Sequence, residues 1–230
     1  MERGMQADYF FAFPPSLLQF APYFPATADV WDWLPGIKRA LADLKGNTAD
    51  RKIPTGVAIE GEVWLDPTVK LLPQATLIGP CWIGPGTEIR PGAFVRGNVI
   101  VGAGCVLGNS CEFKNCLLME KVQVPHFSYV GDSILGNGSH LAAGVVLSNL
   151  RLDQKPITIR LPERVAETGL RKFGSVLGDK SEVGCNAVLN PGTLLGKRAL
   201  VMPSLAFGGY LPEAHLAKGR ATITTILRRD

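Results

Sequence analysis

The sequence has 230 residues, with 24 Lys and Arg against 20 Asp and Glu, which gives a formal net charge of +4 at pH 7. Hydrophobic residues make up 46% and charged residues 19%, a composition that excludes an intrinsically disordered chain. The charge is too small to predict nucleic-acid binding. The apolar stretch near the N-terminus is broken by prolines, which argues against a secretory signal or a membrane-spanning helix. We expect a cytoplasmic protein that binds neither nucleic acid nor membrane.

The first 52 residues contain a helical pattern. Thr27 or Asp29 provides an N-cap for a run of apolar residues at helical spacing, and Gly46 lies where that helix would end. Pro35 predicts a kink or a restart. We expect residues 1–52 to form a helical arm that caps one end of the following domain, because its tryptophans and phenylalanines need burial. Two other roles stay open, a cover over the functional site and the remnant of a linker.

From residue 59 onward an aliphatic or apolar residue recurs at every sixth position, with Gly, Pro, Asn and Asp between. A helix or a plain strand does not have this period, whereas a coil of three short strands joined by tight turns does. The sequence therefore predicts a mainly β fold, a left-handed parallel β-helix over residues 53–230 with about eighteen residues per coil. The repeated positions are Ile59, Leu65, Leu71, Leu77, Ile83, Ile89, Val95, Val101, Leu107, Phe113 and Met119.

The repeat is then interrupted. Met119 and Val124 are only five residues apart, and we expect this slip to bulge the coil wall and to form a recess that holds His126. The repeat is lost over residues 151–175, which we predict to leave the β-helix as an excursion. Within it, the segments ITIR and KFGSVLG are predicted to pair as a hairpin. From about residue 206 we expect a C-terminal cap, since repeat proteins need capped ends.

Two cations are expected to lie close together on one face. Arg96 and Lys114 are eighteen residues apart, so they are predicted to stack on successive coils at about 4.8 Å, the distance between neighbouring strands. Two like charges at that distance cost free energy unless an anion or water lies between them. A phosphate would satisfy both, and solvated surface cations are the alternative.

The histidines and cysteines indicate which catalytic groups and metal sites the sequence can offer. A neutral imidazole is a common general base near pH 7, so His126 is a candidate, with a histidine in a surface turn as the alternative. The three histidines are far apart in sequence, and we predict no metal site. Cys81, Cys105 and Cys111 fall on repeat positions that favour small apolar side chains, which indicates buried free thiols.

The hexapeptide run resembles the left-handed β-helix acyltransferases. The segment 96–155 is similar to the acetyltransferase domain of the bifunctional glucosamine-1-phosphate acetyltransferase and N-acetylglucosamine-1-phosphate uridyltransferase. That domain carries an Arg, a Lys eighteen residues later, a His-x-x-Tyr-x-Gly-Asp segment, an Ala-Gly pair, an Asn and a Lys. The matching residues here are Arg96, Lys114, His126, Tyr129, Ala143, Asn149 and Lys155.

The resemblance implies an acetyltransferase that uses acetyl-CoA and a phosphorylated amino sugar similar to glucosamine-1-phosphate. His126 is then the general base that takes a proton from the sugar amino group. A homotrimer with the site between subunits is also implied. The implied substrate-binding residues are Arg96, Lys114, Tyr129, His140 and Lys155. The implied acetyl-CoA contacts are Ala143, Asn149 and Cys185.

The sequence departs from the family pattern at three positions. His140 stands where the family has an Asn, Leu150 where it has a Tyr, and Cys185 where it has a Ser. These departures leave the identity of the acceptor sugar open, and no uridyltransferase activity is expected because that domain is absent from the sequence. A non-enzymatic trimeric scaffold or regulatory module, and an acyltransferase with another acceptor, are the alternative interpretations.

Overall fold

The computed structural model describes residues 5–44, 52–219 and 226–228. Most of them form a parallel β-helix with three faces, each of which is a ladder of short parallel strands. We name the faces A, B and C in the order in which the chain visits them. The prediction of a mainly β, hexapeptide-repeat β-helix is confirmed.

The strands of face A are β1 (Ala58–Glu60), β4 (Thr76–Ile78), the first part of β7 (Phe94–Val101), the first part of β9 (Glu112–Leu118), β11 (Tyr129–Gly131), β14 (Val146–Leu147), β19 (Val188–Leu189) and β22 (Ala206–Phe207). The strands of face B are β2 (Val63–Leu65), β5 (Cys81–Ile83), the second parts of β7 and β9, β12 (Ile134–Leu135), β17 (Ser175–Leu177), β20 (Thr193–Leu195) and β23 (Tyr210–Leu211). The strands of face C are β3 (Lys70–Leu71), β6 (Glu88–Ile89), β8 (Val106–Asn109), β10 (Gln123–His126), β13 (His140–Leu141), β18 (Glu182–Val183), β21 (Leu200–Val201) and β24 (Leu216–Ala217).

The aliphatic residues of the repeat fill the interior of the β-helix. On face A, Leu77, Val95, Phe113 and Val130 are register partners in successive coils, and all four are fully buried. Burial of one such side chain contributes roughly 1.5–3 kcal/mol, so the stacked core supplies the main stabilisation. The predicted inward positions are confirmed from Leu65 to Phe113 by their place in one continuous core.

The first slip of the repeat lies earlier than predicted. Leu118 points into the β-helix core, whereas Met119 is buried on the outside of the β-helix, in the cluster that contains the N-terminal arm. The five-residue step therefore runs from Phe113 to Leu118 and does not separate Met119 from Val124. The spacing alone did not distinguish the two because both candidate residues are apolar.

The corner between faces A and B explains this slip. Arg96 pairs with Lys114 and Val99 pairs with Cys116, so two residues turn the corner in one coil and Asn115 alone turns it in the next. In the following coil Asp132 turns the corner alone. The shortened corners thus fall beside the end of face A, and the prediction of a bulge just before His126 is wrong.

The excursion over residues 151–175 carries a hairpin. Its first strand is the predicted one, whereas its second strand comes from a different segment than predicted. Strand β15 (Thr158–Arg160), from ITIR, pairs antiparallel with β16 (Val165–Glu167). Residues 175–177 of KFGSVLG instead pair in parallel with β12 and β20. A strand inside the β-helix has a hydrogen-bonding neighbour on each side, whereas a two-stranded hairpin offers it only one.

The C-terminal strands continue the β-helix. Strands β22, β23 and β24 pair in parallel with β19, β20 and β21. The ladder therefore extends to Ala217, and the segment from about residue 206 to this point is a further coil instead of the expected cap.

The described part of the N-terminal arm, residues 5–44, contains four short helices. They are α1 (Ala7–Phe10), a 3₁₀ helix (Pro15–Tyr23), a second 3₁₀ helix (Val30–Asp32) and α2 (Trp33–Ala42). Asp29, one of the two predicted N-caps, occupies the N-cap position of the second 3₁₀ helix, and Asp32 that of α2. Pro35 lies in the first turn of α2, where its missing N–H removes no intrahelical hydrogen bond. The predicted helix end at Gly46 lies outside the described residues.

This arm packs along face B and does not cap an end of the β-helix. Ile100, Leu117 and Ile134 point outward from face B and are buried in the same apolar cluster as the arm's tryptophans and phenylalanines. The Tyr9 and Tyr210 hydroxyls are hydrogen-bonded at 2.7 Å near the last coils. The ring of Phe20 meets that of Trp82, near the first coils, at 5.3 Å. The capping prediction is therefore wrong. Among the described helices, none has the length and hydropathy needed to cross a membrane.

Candidate functional site

Arg96 and Lys114 lie side by side on the outer surface of face A. They are register partners on β7 and β9, as their spacing predicts. Each already has a carboxylate partner. Arg96 Nη2 lies 2.6 Å from Glu112 Oε1, and Lys114 Nζ lies 3.1 Å from Asp132 Oδ2. Arg96 and Lys114 therefore do not need an external anion to offset their repulsion, because Glu112 and Asp132 already neutralise them.

Asp132 is the centre of a group of polar side chains beside face A. Its side chain is only 5% exposed, and its carboxylate accepts hydrogen bonds from Lys114 Nζ at 3.1 Å, from Asn115 Nδ2 at 2.8 Å and from Asn149 Nδ2. Asn149 Nδ2 also donates to the Tyr129 hydroxyl at 3.1 Å. We call these five residues the Asp132 cluster. A buried carboxylate without such donors would be strongly destabilising.

The Tyr129 side chain lies over Gly131, at the edge of this cluster. A Cβ at position 131 would lie 2.4 Å from the Tyr129 Oη and 2.8 Å from Asn149 Nδ2, so Gly131 leaves the space that both side chains need. Partial burial raises the pKa of Tyr129, and the carboxylates of Asp132 and Glu112 raise it further. The phenol therefore keeps its proton at neutral pH and can act as a hydrogen-bond donor.

His126 ends strand β10 at the corner between faces C and A, and it is exposed. Its main chain is well fixed, since its carbonyl oxygen accepts hydrogen bonds from Ser128 Oγ at 3.0 Å and from the Gly144 N–H at 3.2 Å. Phe127 follows in the left-handed region with φ 51°. Among the described residues, no side chain is hydrogen-bonded or ion-paired to the His126 ring. The imidazole is therefore exposed to solvent and free to meet a substrate.

Ala143 and Cys185 continue the column that His126 begins. Gly144 N–H donates to the carbonyl of His126, and Asn186 N–H donates to the carbonyl of Ala143 at 2.9 Å. The three residues thus occupy equivalent corner positions in three successive coils. We call His126, Ala143 and Cys185 the corner column. Cys185 is an exposed free thiol, whereas the other four cysteines are buried.

The remaining predicted site residues lie elsewhere. His140 is on face C, in register with Gln123 and Glu182. Lys155 is exposed in the excursion, and its N–H donates to the Asp153 carboxylate at 3.2 Å. In the described part of the chain, neither residue is hydrogen-bonded or ion-paired to the Asp132 cluster. The resemblance assigned Asn149 to acetyl-CoA. In the structure its side chain lies between Asp132 and Tyr129. The acetyl-CoA contact of Asn149 stays a prediction.

Sequence reasoning missed Glu112, Asn115 and Asp132. Two signals were available. Glu112 is two residues before Lys114 and therefore on the same side of a strand, and Asp132 is the last residue of the His-x-x-Tyr-x-Gly-Asp segment. No group of three His, Cys, Asp or Glu side chains that could hold a metal is found in the described ranges.

Comparison with known proteins gives the family. Residues 77–202 match the family described as the GMPPB C-terminal domain. The "Putative uncharacterized acetyltransferase YaiX" of Escherichia coli K12 is 31% identical over 202 residues, which cover 81% of this chain and 88% of that protein. The "Bifunctional protein GlmU" of Methanococcus vannielii is 31% identical over 176 residues, which cover 74% of this chain and 41% of that protein. This chain therefore spans less than half of the length of that relative.

One solved structure is also similar to part of this chain. The polySia-specific acetyltransferase NeuO matches over 73% of this chain and 84% of its own, at 12% identity and a TM-score of 0.36. The family match by itself extends over more than half of the chain, and the similarity to YaiX covers most of both proteins. The repeat and the β-helix agree with the family match and with the similarity to YaiX, and the chain belongs to the hexapeptide-repeat β-helix acyltransferase family.

Proposed function

We propose that the protein is an acetyltransferase that moves an acetyl group from acetyl-CoA to the amine of a phosphorylated amino sugar similar to glucosamine-1-phosphate. The observation that carries the proposal is the exposed imidazole of His126, held at the corner that leads directly into face A. Three residues further on, Tyr129 begins the face A strand β11, in register with Glu112 of β9. The name of the relative YaiX, an acetyltransferase, supports acetyl transfer.

In the proposed reaction, the His126 imidazole accepts a proton from the amino group of the acceptor. The nitrogen lone pair attacks the thioester carbonyl of acetyl-CoA and forms a tetrahedral oxyanion. When this collapses, the carbon–sulfur bond breaks and the CoA thiolate leaves with the proton from His126. A single base suffices, and no covalent enzyme intermediate is needed.

His126 lies where two surfaces meet, face A and the corner column, and we assign one substrate to each. The phosphorylated sugar is assigned to face A, where Arg96, Lys114 and Tyr129 supply donors, with Lys155 and His140 as further proposed contacts. Acetyl-CoA is assigned to the corner column, because it follows His126 in the next coils. The proposed acetyl-CoA contacts are Ala143, Asn149 and Cys185. A homotrimer and a cytoplasmic location complete the proposal, and the free cysteines agree with a reducing compartment.

The test is a thiol-release assay with acetyl-CoA and either glucosamine-1-phosphate or glucosamine as acceptor. We expect faster release with the phosphorylated acceptor. Arg96→Gln should raise KM for glucosamine-1-phosphate about tenfold or more, since a charge-assisted phosphate contact is lost. Arg90→Gln is the matched control, because Arg90 is paired with Glu88 at 2.7 Å on face C. No release with either acceptor would contradict the proposal.

The paired cations favour a second candidate, a trimeric scaffold without turnover. Glu112 and Asp132 already neutralise Arg96 and Lys114, which weakens the electrostatic case for a bound phosphate. Calorimetry with acetyl-CoA separates the two. Heat of binding supports the enzyme or an acyltransferase with another acceptor, whereas no binding by an intact trimer supports the scaffold.

A further inference from the structure

Asp132 fixes the direction of the hydrogen bonds that run from the buried corner to the surface of face A. An ionised carboxylate only accepts hydrogen bonds, so the Asn149 group that faces it is the NH₂. The same NH₂ donates to the Tyr129 hydroxyl at 3.1 Å. The Tyr129 oxygen is therefore an acceptor on its inner side, and its proton is left to point away from Asn149.

We propose that Asp132 is a positioning residue that orients the Asn149 amide and thereby makes the Tyr129 hydroxyl a hydrogen-bond donor toward a bound anionic group. The identity of that group, the phosphate of the acceptor sugar, rests on the proposed function. Asp132 also holds the Lys114 ammonium at 3.1 Å on the same face. One buried carboxylate thus determines how two donors are presented.

The main chain keeps Asp132 and Asn149 in place. Asp132 turns the shortened corner with φ 47°, and its N–H donates to the Lys114 carbonyl at 2.9 Å. Its own carbonyl accepts from the Gly174 N–H at 2.7 Å, and the Asn149 carbonyl accepts from the Phe173 N–H at 3.0 Å. The end of the excursion therefore closes onto both residues. This pairing fixes the main chain from which both side chains extend.

Two further observations agree with a donor role for Tyr129. Burial and the neighbouring carboxylates raise its pKa, so its proton is retained. The space above Gly131 places the hydroxyl next to Asn149. The other charged groups that act on Tyr129 are Glu112 and Arg96, and neither is hydrogen-bonded to its hydroxyl.

The test exchanges the two side chains in the double variant Asp132→Asn/Asn149→Asp. The exchange keeps the net charge and an amide–carboxylate pair, but the carboxylate introduced at position 149 can only accept. Tyr129 must then donate to it, so its proton points inward. Glu88→Gln, at a carboxylate paired with Arg90 on face C, is the control for loss of a carboxylate elsewhere on the β-helix.

The first readout does not depend on activity. In protein labelled at tyrosine ¹³Cζ, the Tyr129 signal is assigned with Tyr129→Phe, and its titration is followed by NMR. The exchange should raise the pKa of Tyr129 by about one unit, because a hydrogen bond from the phenol to a carboxylate favours the neutral form. An unchanged or lowered pKa would overturn the proposal.

The second readout is the KM for glucosamine-1-phosphate. The exchange should raise it about tenfold, as should Tyr129→Phe, and the two changes combined should be no worse than either alone. If Asp132 only neutralised Lys114, the exchange would instead free that lysine and lower KM, which would overturn the proposal. If the wild type shows no acetyl transfer, the proposed function fails, and the Tyr129 titration alone decides the role of Asp132.

Discussion

Faces A and B are built by the same six-residue repeat and differ in the side chains that their strands turn outward. Inside, both contribute fully buried aliphatic residues such as Val95 and Val101. Outside, face B presents Ile100 and Leu117, which the N-terminal arm covers. Face A presents the Asp132 cluster and Arg96. The inward residues therefore determine the fold, whereas the outward residues determine whether a face is used for packing or for chemistry.

The largest stability difference is expected between two matched valines. Val176 points outward from face B and is fully buried under the arm, whereas Val146 on face A is 36% exposed. Val176→Ala should lower the free energy of unfolding by about 2 kcal/mol, from lost burial and a residual cavity. Val146→Ala should lower it by less than about 0.5 kcal/mol. Denaturant titration measures both, and equal losses would contradict the distinction between the faces.

A methyl group at Gly131 should damage face A without damaging the fold. Gly131→Ala places a Cβ 2.4 Å from the Tyr129 Oη, so the Tyr129 ring must move. We expect kcat/KM for acetyl transfer to glucosamine-1-phosphate to fall about tenfold, which corresponds to about 1.4 kcal/mol. Gly219→Ala, where a Cβ would meet only the end of the Leu205 side chain at 3.1 Å, is the control. Unchanged kinetics in Gly131→Ala would remove Tyr129 from the site.

Thiol labelling tests the corner column. Cys185 should react with a maleimide, while the other four cysteines should not, because burial raises the pKa of Cys81 and Cys105 to about 12 and encloses Cys111 and Cys116. Bound acetyl-CoA should slow labelling of Cys185 several-fold, and Cys185→Ser should abolish it. Labelling that acetyl-CoA does not affect would place the co-substrate away from this column.

Alkaline pH should weaken the attachment of the arm to face B. Burial raises the pKa of Tyr210, and its hydrogen bond with Tyr9 raises it further. Because the folded pKa lies above the unfolded value of about 10, this stabilisation is complete below pH 10 and is lost as pH rises toward the folded pKa. Tyr9→Phe should make the fall of the unfolding free energy above about pH 10 shallower. Equal slopes for variant and wild type would contradict this account.

The repeat predicted the interior of the protein far better than its surface. The inward positions and the stacking of Arg96 on Lys114 follow from the period, because a coil of constant length repeats its geometry. The period did not distinguish Leu118 from Met119, since both are apolar and the arm buries the one that faces outward. The partners Glu112 and Asp132 were missed because ion pairing on a surface depends on the direction of side chains across coils, which the period does not give. A phosphate was expected to neutralise the two cations, and carboxylates of the chain do so.

The most direct test of the proposed acetyl transfer compares two histidines. His126→Ala and His215→Ala are assayed for thiol release with acetyl-CoA and glucosamine-1-phosphate. His215 is also exposed, but it lies near the last strand of face C, where its Nδ1 is 2.8 Å from the Glu213 carbonyl oxygen. Loss of the general base should lower kcat about 10²- to 10⁴-fold in His126→Ala, with an unchanged unfolding midpoint, and leave His215→Ala at wild-type activity. Undiminished acetyl transfer by His126→Ala would contradict the assignment of the catalytic base.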